Sequence, residues 1–188
     1  MHGLEVQATP LEGLLVLTPQ LFADKRGYFL ETYNEKDASS VGINTLFVQD
    51  NESRSCRGVL RGLHMQRTQP QAKLVRVVSG EVFDVAVDAR VGSPTFGSWY
   101  GLTLSGSNKK QLYIPEGFLH GFLVLSEEAV FSYKCSRYYD PDDEVGVLYN
   151  DPDLAIEWPL SGIGTLLVSE KDKVNKSFYD FRCFLGEH

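Results

Sequence analysis

The residues best placed to do chemistry lie in Val59-Leu60-Arg61-Gly62-Leu63-His64-Met65-Gln66, with Lys73 following at the next apolar run. Imidazole is the side chain whose ordinary pKa lies nearest neutrality, which makes His64 a candidate general base. Of the four histidines, His2 and His188 sit at the ends, leaving His64 and His120 in the interior. A hydrogen-bonded core residue is the other reading of His64, and the octapeptide alone leaves both open. A regular strand sends Arg61 and His64 to opposite faces. Gly62 lies between them and predicts a bulge that turns both into one cavity. Lys73 shares a strand face with Val75 and Val77, as a snorkelling surface residue or a buried functional one. A base also needs a carboxylate to orient its ring and stabilise its cation; Asp84, Asp88 and Asp172 are the candidates.

Pro115-Glu116-Gly117-Phe118-Leu119-His120-Gly121 is a P-x-G-x-x-H turn. After a β-rich run carrying another histidine, it resembles the second motif of the cupin superfamily. Many cupins bind a metal through H-x-H, a downstream glutamate and this later histidine. Here the first part is His64-Met65-Gln66, and the glutamate position falls near Gln71. Two of four ligands are replaced by amides, which are poor ligands for divalent transition metals. The expectation is no metal site, leaving His64 to act as a base.

The elements that must position these residues read as strands. β-branched and aromatic runs recur between Gly, Pro, Asp and Asn clusters at 13–17, 28–33, 45–49, 58–66, 73–78, 81–88, 98–104, 111–115, 121–125 and 130–135. Many short strands with little helical periodicity predict a sandwich or barrel. Ser79-Gly80 predicts a hairpin turn. Short helices are predicted over 34–41 and near 169–174. In 81–88, Phe83, Val85 and Val87 share one strongly apolar face, whereas Val82, Asp84, Ala86 and Asp88 share a mixed one. That asymmetry suits a sandwich with a polar cavity.

At 188 residues the chain is expected to form one domain, residues 1–188, with a real core. No apolar run approaches the roughly 20 residues that span a bilayer, and the first residues do not read as a secretory leader. Three cysteines at wide spacing make neither a metal pair nor a disulfide framework, which fits a cytoplasmic protein. A net charge of −7 argues against nonspecific nucleic-acid binding but leaves room for an anionic small molecule held by a few placed cations.

Nine segments together resemble the dTDP-4-dehydrorhamnose 3,5-epimerases, the rhamnose-pathway branch of the cupins. They are Asp24-Lys25-Arg26-Gly27-Tyr28-Phe29-Leu30-Glu31, Phe47-Val48-Gln49-Asp50-Asn51, Gly58-Val59-Leu60-Arg61-Gly62-Leu63-His64, the run from Gly80 to Asp88, Ser93-Pro94-Thr95-Phe96-Gly97, the run from Ile114 to Phe122, Tyr133-Lys134, Asn150-Asp151-Pro152 and Ser169-Glu170-Lys171-Asp172. Each is weak alone; their order along most of the chain carries the resemblance. It implies a mainly β, cupin-type jelly roll with a few short helices, and a homodimer that exchanges N-terminal strands. The implied substrate is dTDP-4-dehydro-6-deoxyglucose, inverted at C3 and C5, with no cofactor. The implied roles are His64 as base, Asp172 as its orienting carboxylate, Tyr133 as the acid on the opposite face and Lys73 as the cation near the developing oxyanion. Substrate contacts fall to Arg26, Glu31, Gln49, Asp50, Asn51, Arg61, His120, Glu144 and Lys171. Arg26 and Glu31 are expected from the neighbouring subunit, and Tyr138 lies where an aromatic stacks on the thymine, with Arg137-Tyr138-Tyr139 offering several choices. A single-carbon epimerase of secondary metabolism and a non-catalytic sugar-nucleotide-binding cupin are the alternatives. Tyr113 and Leu119 depart from the family pattern, where tryptophan and alanine are common, which bears on substrate preference.

Overall fold

A computed structural model describes residues 3–186; His2 and His188 lie outside them. The strands are β1 (Leu4–Ala8), β2 (Leu15–Pro19), β3 (Phe22–Asp24), β4 (Gly27–Phe29), β5 (Gln49–Cys56), β6 (Val59–Gln66), β7 (Lys73–Ser79), β8 (Glu81–Asp88), β9 (Trp99–Ser105), β10 (Gln111–Ile114), β11 (Phe118–Val124), β12 (Glu128–Cys135), β13 (Glu144–Gly146) and β14 (Leu167–Val168). The helices are short: α1 (Glu35–Ser40), α2 (Glu170–Lys173) and α3 (Phe178–Leu185). One sheet runs β1-β2-β10-β7-β12-β5 and the other β13-β6-β11-β8-β9, with β14 joining β6 in parallel. The central order, β5-β12-β7-β10 over β6-β11-β8-β9, is a jelly roll. β3 and β4 form a separate hairpin.

The two sheets pack face to face through Val75, Val77, Leu112, Ile114 and Phe131 from one and Val82, Ala86, Leu104, Phe122 and Val124 from the other. The outer face of the second sheet is also buried. Val85, Val87, Leu119 and Leu123 pack there against Leu154, Trp158, Phe178 and Phe181 of the C-terminal segment. β8 therefore separates its side chains as its alternation predicts: the apolar face meets the C-terminal layer, and the mixed face looks into the jelly roll.

Asn34 caps α1 by accepting the Lys36 N–H, and Ser169 caps α2 by accepting the Asp172 N–H. Both caps stand at the first residue of the stretches read as helical. α3 was not anticipated. Ser79-Gly80 is not a hairpin, because β7 and β8 belong to different sheets. Gly80, at φ +81°, turns the chain from one layer into the other, where a Cβ would lie 2.0 Å from the Glu128 carbonyl oxygen. The predicted strand at 45–49 gives way to β5, which begins at Gln49. β5 is almost wholly polar, so it carries no apolar alternation to reveal it.

Candidate active site

The site begins at a bulge. His120 of β11 stands opposite His64 of β6, and Phe122 stands opposite Arg61. Three steps along β6 thus match two along β11, so β6 carries one extra residue at Gly62-Leu63. Gly62 adopts φ +110°, and a Cβ there would lie 2.6 Å from both the Gly121 Cα and the His120 carbonyl oxygen. Only glycine accepts that backbone and that approach. As a result Arg61 and His64 line the same cavity, of about 620 Å³ between the sheets. Its size and mixed lining suit a small organic ligand.

His64 Nε2 lies 2.6 Å from Asp172 Oδ1. Asp172 is 3% exposed, whereas the His64 side chain keeps 23% of its surface open. The Gly62 N–H also donates to Asp172 Oδ2, at 3.4 Å. Burial pushes the Asp172 carboxyl upward, but its bonds and charge interaction with His64, together with Gly62 and Ser169, outweigh that and lower its pKa. The carboxylate is therefore charged at neutrality and holds the His64 ring in place.

The opposite wall belongs to the other sheet. Tyr133 of β12 is half-buried and lines the cavity. Burial raises its pKa, Cys135, Glu144 and Tyr139 add to the rise, and Arg61 works against it. The phenol keeps its proton at neutral pH. Lys73 opens β7 next to that strand, with Cys135 as its register partner. Burial lowers its ammonium pKa, and Cys135, Glu144 and Asp84 pull the other way.

The three candidate carboxylates serve three different partners. Asp172 takes His64. Asp84, fully buried, takes His120, whose Nε2 lies 3.0 Å from each carboxylate oxygen. Asp88 lies outside the cavity and binds Arg90, Ser93 and Thr95. Elsewhere on the lining, Arg61 donates to Ser55 Oγ at 3.1 Å, Gln49 Nε2 donates to Asn51 Oδ1 at 3.0 Å, and Lys171 is ion-paired with Glu144.

Four residues read as substrate contacts are not in this cavity. Asp50 faces away from it, because alternation along β5 turns Gln49, Asn51 and Ser53 inward and Asp50 out to Lys134, 2.9 Å away. Arg26 sits on the exposed β3–β4 hairpin, 2.6 Å from Asp24. Glu31 lines a separate small cleft beside α1. Tyr138 is 74% exposed, and its neighbour Tyr139 lines the cavity instead. Arg137-Tyr138-Tyr139 carries no periodicity that separates the two rings in the sequence. Leu119 is buried in the outer layer and Tyr113 binds Thr45 at 2.7 Å, so neither departure from the family pattern touches the cavity. Gln66 and Gln71 commit their amides to backbone groups of residues 137–140.

A profile of dTDP-4-dehydrorhamnose 3,5-epimerase sequences matches residues 8–180. The chain belongs to this family. A dTDP-4-dehydrorhamnose 3,5-epimerase from Methanothermobacter thermautotrophicus is 52% identical over 88% of this chain and 89% of its own. The solved structure of dTDP-6-deoxy-D-glucose-3,5-epimerase from Legionella pneumophila, in complex with dTDP-4-keto-L-rhamnose, superposes with a TM-score of 0.93 at 49% identity, over 97% of each chain. A dTDP-4-dehydrorhamnose 3-epimerase from Streptomyces niveus is 46% identical, over 87% of this chain and 78% of its own. The epimerase family and the jelly roll thus come together on one chain.

Proposed function

We propose that this protein inverts C3 and C5 of dTDP-4-dehydro-6-deoxyglucose, giving dTDP-4-dehydro-L-rhamnose for dTDP-L-rhamnose biosynthesis. Both carbons flank the C4 ketone, so removing either proton leaves a carbanion delocalised onto that oxygen as an enolate. Inversion needs a base on one face, an acid on the other and a positive group at the oxygen. The observation that carries the reading is the placement of His64–Asp172 and Tyr133 on opposite walls of one cavity. His64 abstracts the proton, and Asp172 holds its ring and stabilises the imidazolium. Lys73 stands by the developing oxyanion, and Tyr133 returns a proton to the far face. This chemistry uses no cofactor. Arg61, His120, Glu144, Lys171, Gln49 and Asn51 hold the nucleotide and sugar.

The working unit is a homodimer of single-domain chains. Arg26 and Glu31 act in the partner's site, carried there with the N-terminal strands. The support is that both lie outside their own chain's cavity, on or after a two-stranded hairpin that leaves Tyr28 and Phe29 exposed. We infer the cytoplasm as its compartment, the support being that all three cysteines are free.

Likeness to the Streptomyces niveus 3-epimerase favours one second reading, inversion at a single carbon. Incubation with dTDP-4-dehydro-6-deoxyglucose in D2O, followed by NMR, separates the two. Deuterium at both C3 and C5, with a product that the pathway reductase converts to dTDP-L-rhamnose, is the expected result. Incorporation at one carbon selects the second reading, and incorporation at neither rejects both.

A further inference from the structure

Gln66 and Gln71 occupy two positions where metal-binding cupins carry ligands, and the epimerase chemistry gives them no task. Both are engaged with one short loop, residues 137–140, whose Tyr139 lines the cavity. Gln71 Nε2 donates to the Arg137 carbonyl at 2.8 Å. Gln66 is 3% exposed. Its Oε1 accepts the Asp140 N–H at 2.9 Å, and its Nε2 donates to the carbonyls of Gln69 at 2.9 Å and Tyr138 at 3.4 Å. From the facing sheet, Gln49 Oε1 accepts the Tyr139 N–H at 2.9 Å. Each residue from 137 to 140 therefore has a backbone group held by a glutamine amide. A surface loop without such partners bonds to water and opens easily. Here the loop is fixed, with Tyr139 on the cavity lining and Tyr138 exposed beside it. A fixed phenol ring offers a flat apolar face at little entropic cost on binding.

We propose that Gln66 and Gln71 are positioning residues for nucleoside recognition: they clamp residues 137–140 so that Tyr139, on the cavity lining, presents a fixed ring to the pyrimidine end of a nucleotide sugar. The inference rests on the nucleotide-sugar reading above and adds the residues that build its base-binding rim. It also assigns a use to the two side chains that replace metal ligands: an amide offers a donor and an acceptor, which a backbone clamp needs.

The test compares dTDP with pyrophosphate by calorimetry, since pyrophosphate has no base to stack. Gln66→Ala is expected to weaken dTDP about tenfold, the worth of about one net hydrogen bond's ordering. Gln71→Ala moves dTDP affinity in the same direction, and pyrophosphate affinity stays at the wild-type level in both. At saturating substrate kcat is retained while KM rises. In a Tyr138→Ala/Tyr139→Ala background, Gln66→Ala costs no further dTDP affinity. Equal losses for the two ligands, wild-type dTDP affinity in both variants, or an undiminished loss in the tyrosine-free background each overturn the proposal. If Gln66→Ala does not fold, Gln71→Ala, at a half-buried side chain, carries the same comparison. A wild-type protein that binds dTDP no better than pyrophosphate overturns the nucleotide-sugar reading itself, and this proposal with it.

Discussion

Two histidine–carboxylate pairs stand side by side at the cavity, each with its histidine on the lining, and they are built differently. His64 and His120 are register partners on β6 and β11. The carboxylate for His120 comes from the adjoining strand: Asp84 lies in β8, directly opposite Phe122. The carboxylate for His64 comes from α2, 108 residues away in the chain. The His120 pair is the deeper, with side-chain exposures of 8% and 0%, against 23% and 4% for His64 and Asp172. His120 also stacks on Phe131, ring centroids 6.1 Å apart. A proton-transferring ring must meet both substrate and its partner, which suits the more open pair. A ring packed against aromatic side chains and held by two equal contacts suits binding. The same two residue types thus take different tasks because burial and bonding geometry differ.

The largest effect is expected when the two rings are removed in turn. His64→Ala should cut deuterium incorporation at both carbons by about 10³-fold or more, within the range of general acid–base catalysis. His120→Ala should weaken substrate and leave exchange measurable. The reverse ranking by NMR would make His120 the base. The carboxylates come next. Asp172→Asn should lower kcat about 10²-fold, since the amide cannot stabilise the imidazolium. Asp84→Asn should lower kcat/KM only about tenfold, as expected for loss of a hydrogen bond to a charged group. Similar losses in kcat would dissolve the distinction between the pairs.

Tyr133→Phe sharpens the contrast between the walls. Proton abstraction by His64 should persist as exchange, while net inversion falls about 10²-fold, the weight of one general acid. Wild-type inversion rates would remove Tyr133 from the acid role. Asp88 provides the smallest effect and a control, a buried carboxylate away from the cavity. Burial raises its carboxyl, but bonds from Arg90, Ser93 and Thr95 prevail and hold it far below the ordinary range. A depressed folded-state pKa stabilises the protein above the unfolded value and loses that contribution as pH falls through the folded one. The urea-midpoint gap between wild type and Asp88→Asn should therefore be widest above about pH 4, near the unfolded carboxylate value, and narrow at lower pH. Activity per folded molecule should match wild type.

Legibility followed the strength of the local signal. Alternation in β8 announced both its faces, and Asn34 and Ser169 announced two helix starts. Gly62 announced the bulge because no other residue makes that turn at that distance from Gly121. β5 stayed hidden because a strand between cavity and solvent needs no apolar face. The same alternation explains Asp50, which sits between two inward-facing amides and so points away from them. The Ser79-Gly80 turn misled because a tight turn looks alike whether it stays within a sheet or crosses between two.

The sequence by itself determined the inventory: one strand with His64 and Arg61 around a glycine, a second histidine in a turn, amides where metal ligands would stand, and enough ordered motifs to name a family. Only the tertiary structure decided the pairings. Asp84, Asp88 and Asp172 are equal candidates in one dimension, because a carboxylate's partner is chosen within about 3 Å and that distance is set by sheet register and by where the C-terminal segment crosses β6. The division of labour between the two histidines has the same origin, since burial belongs to the packed layers and to no single stretch of chain.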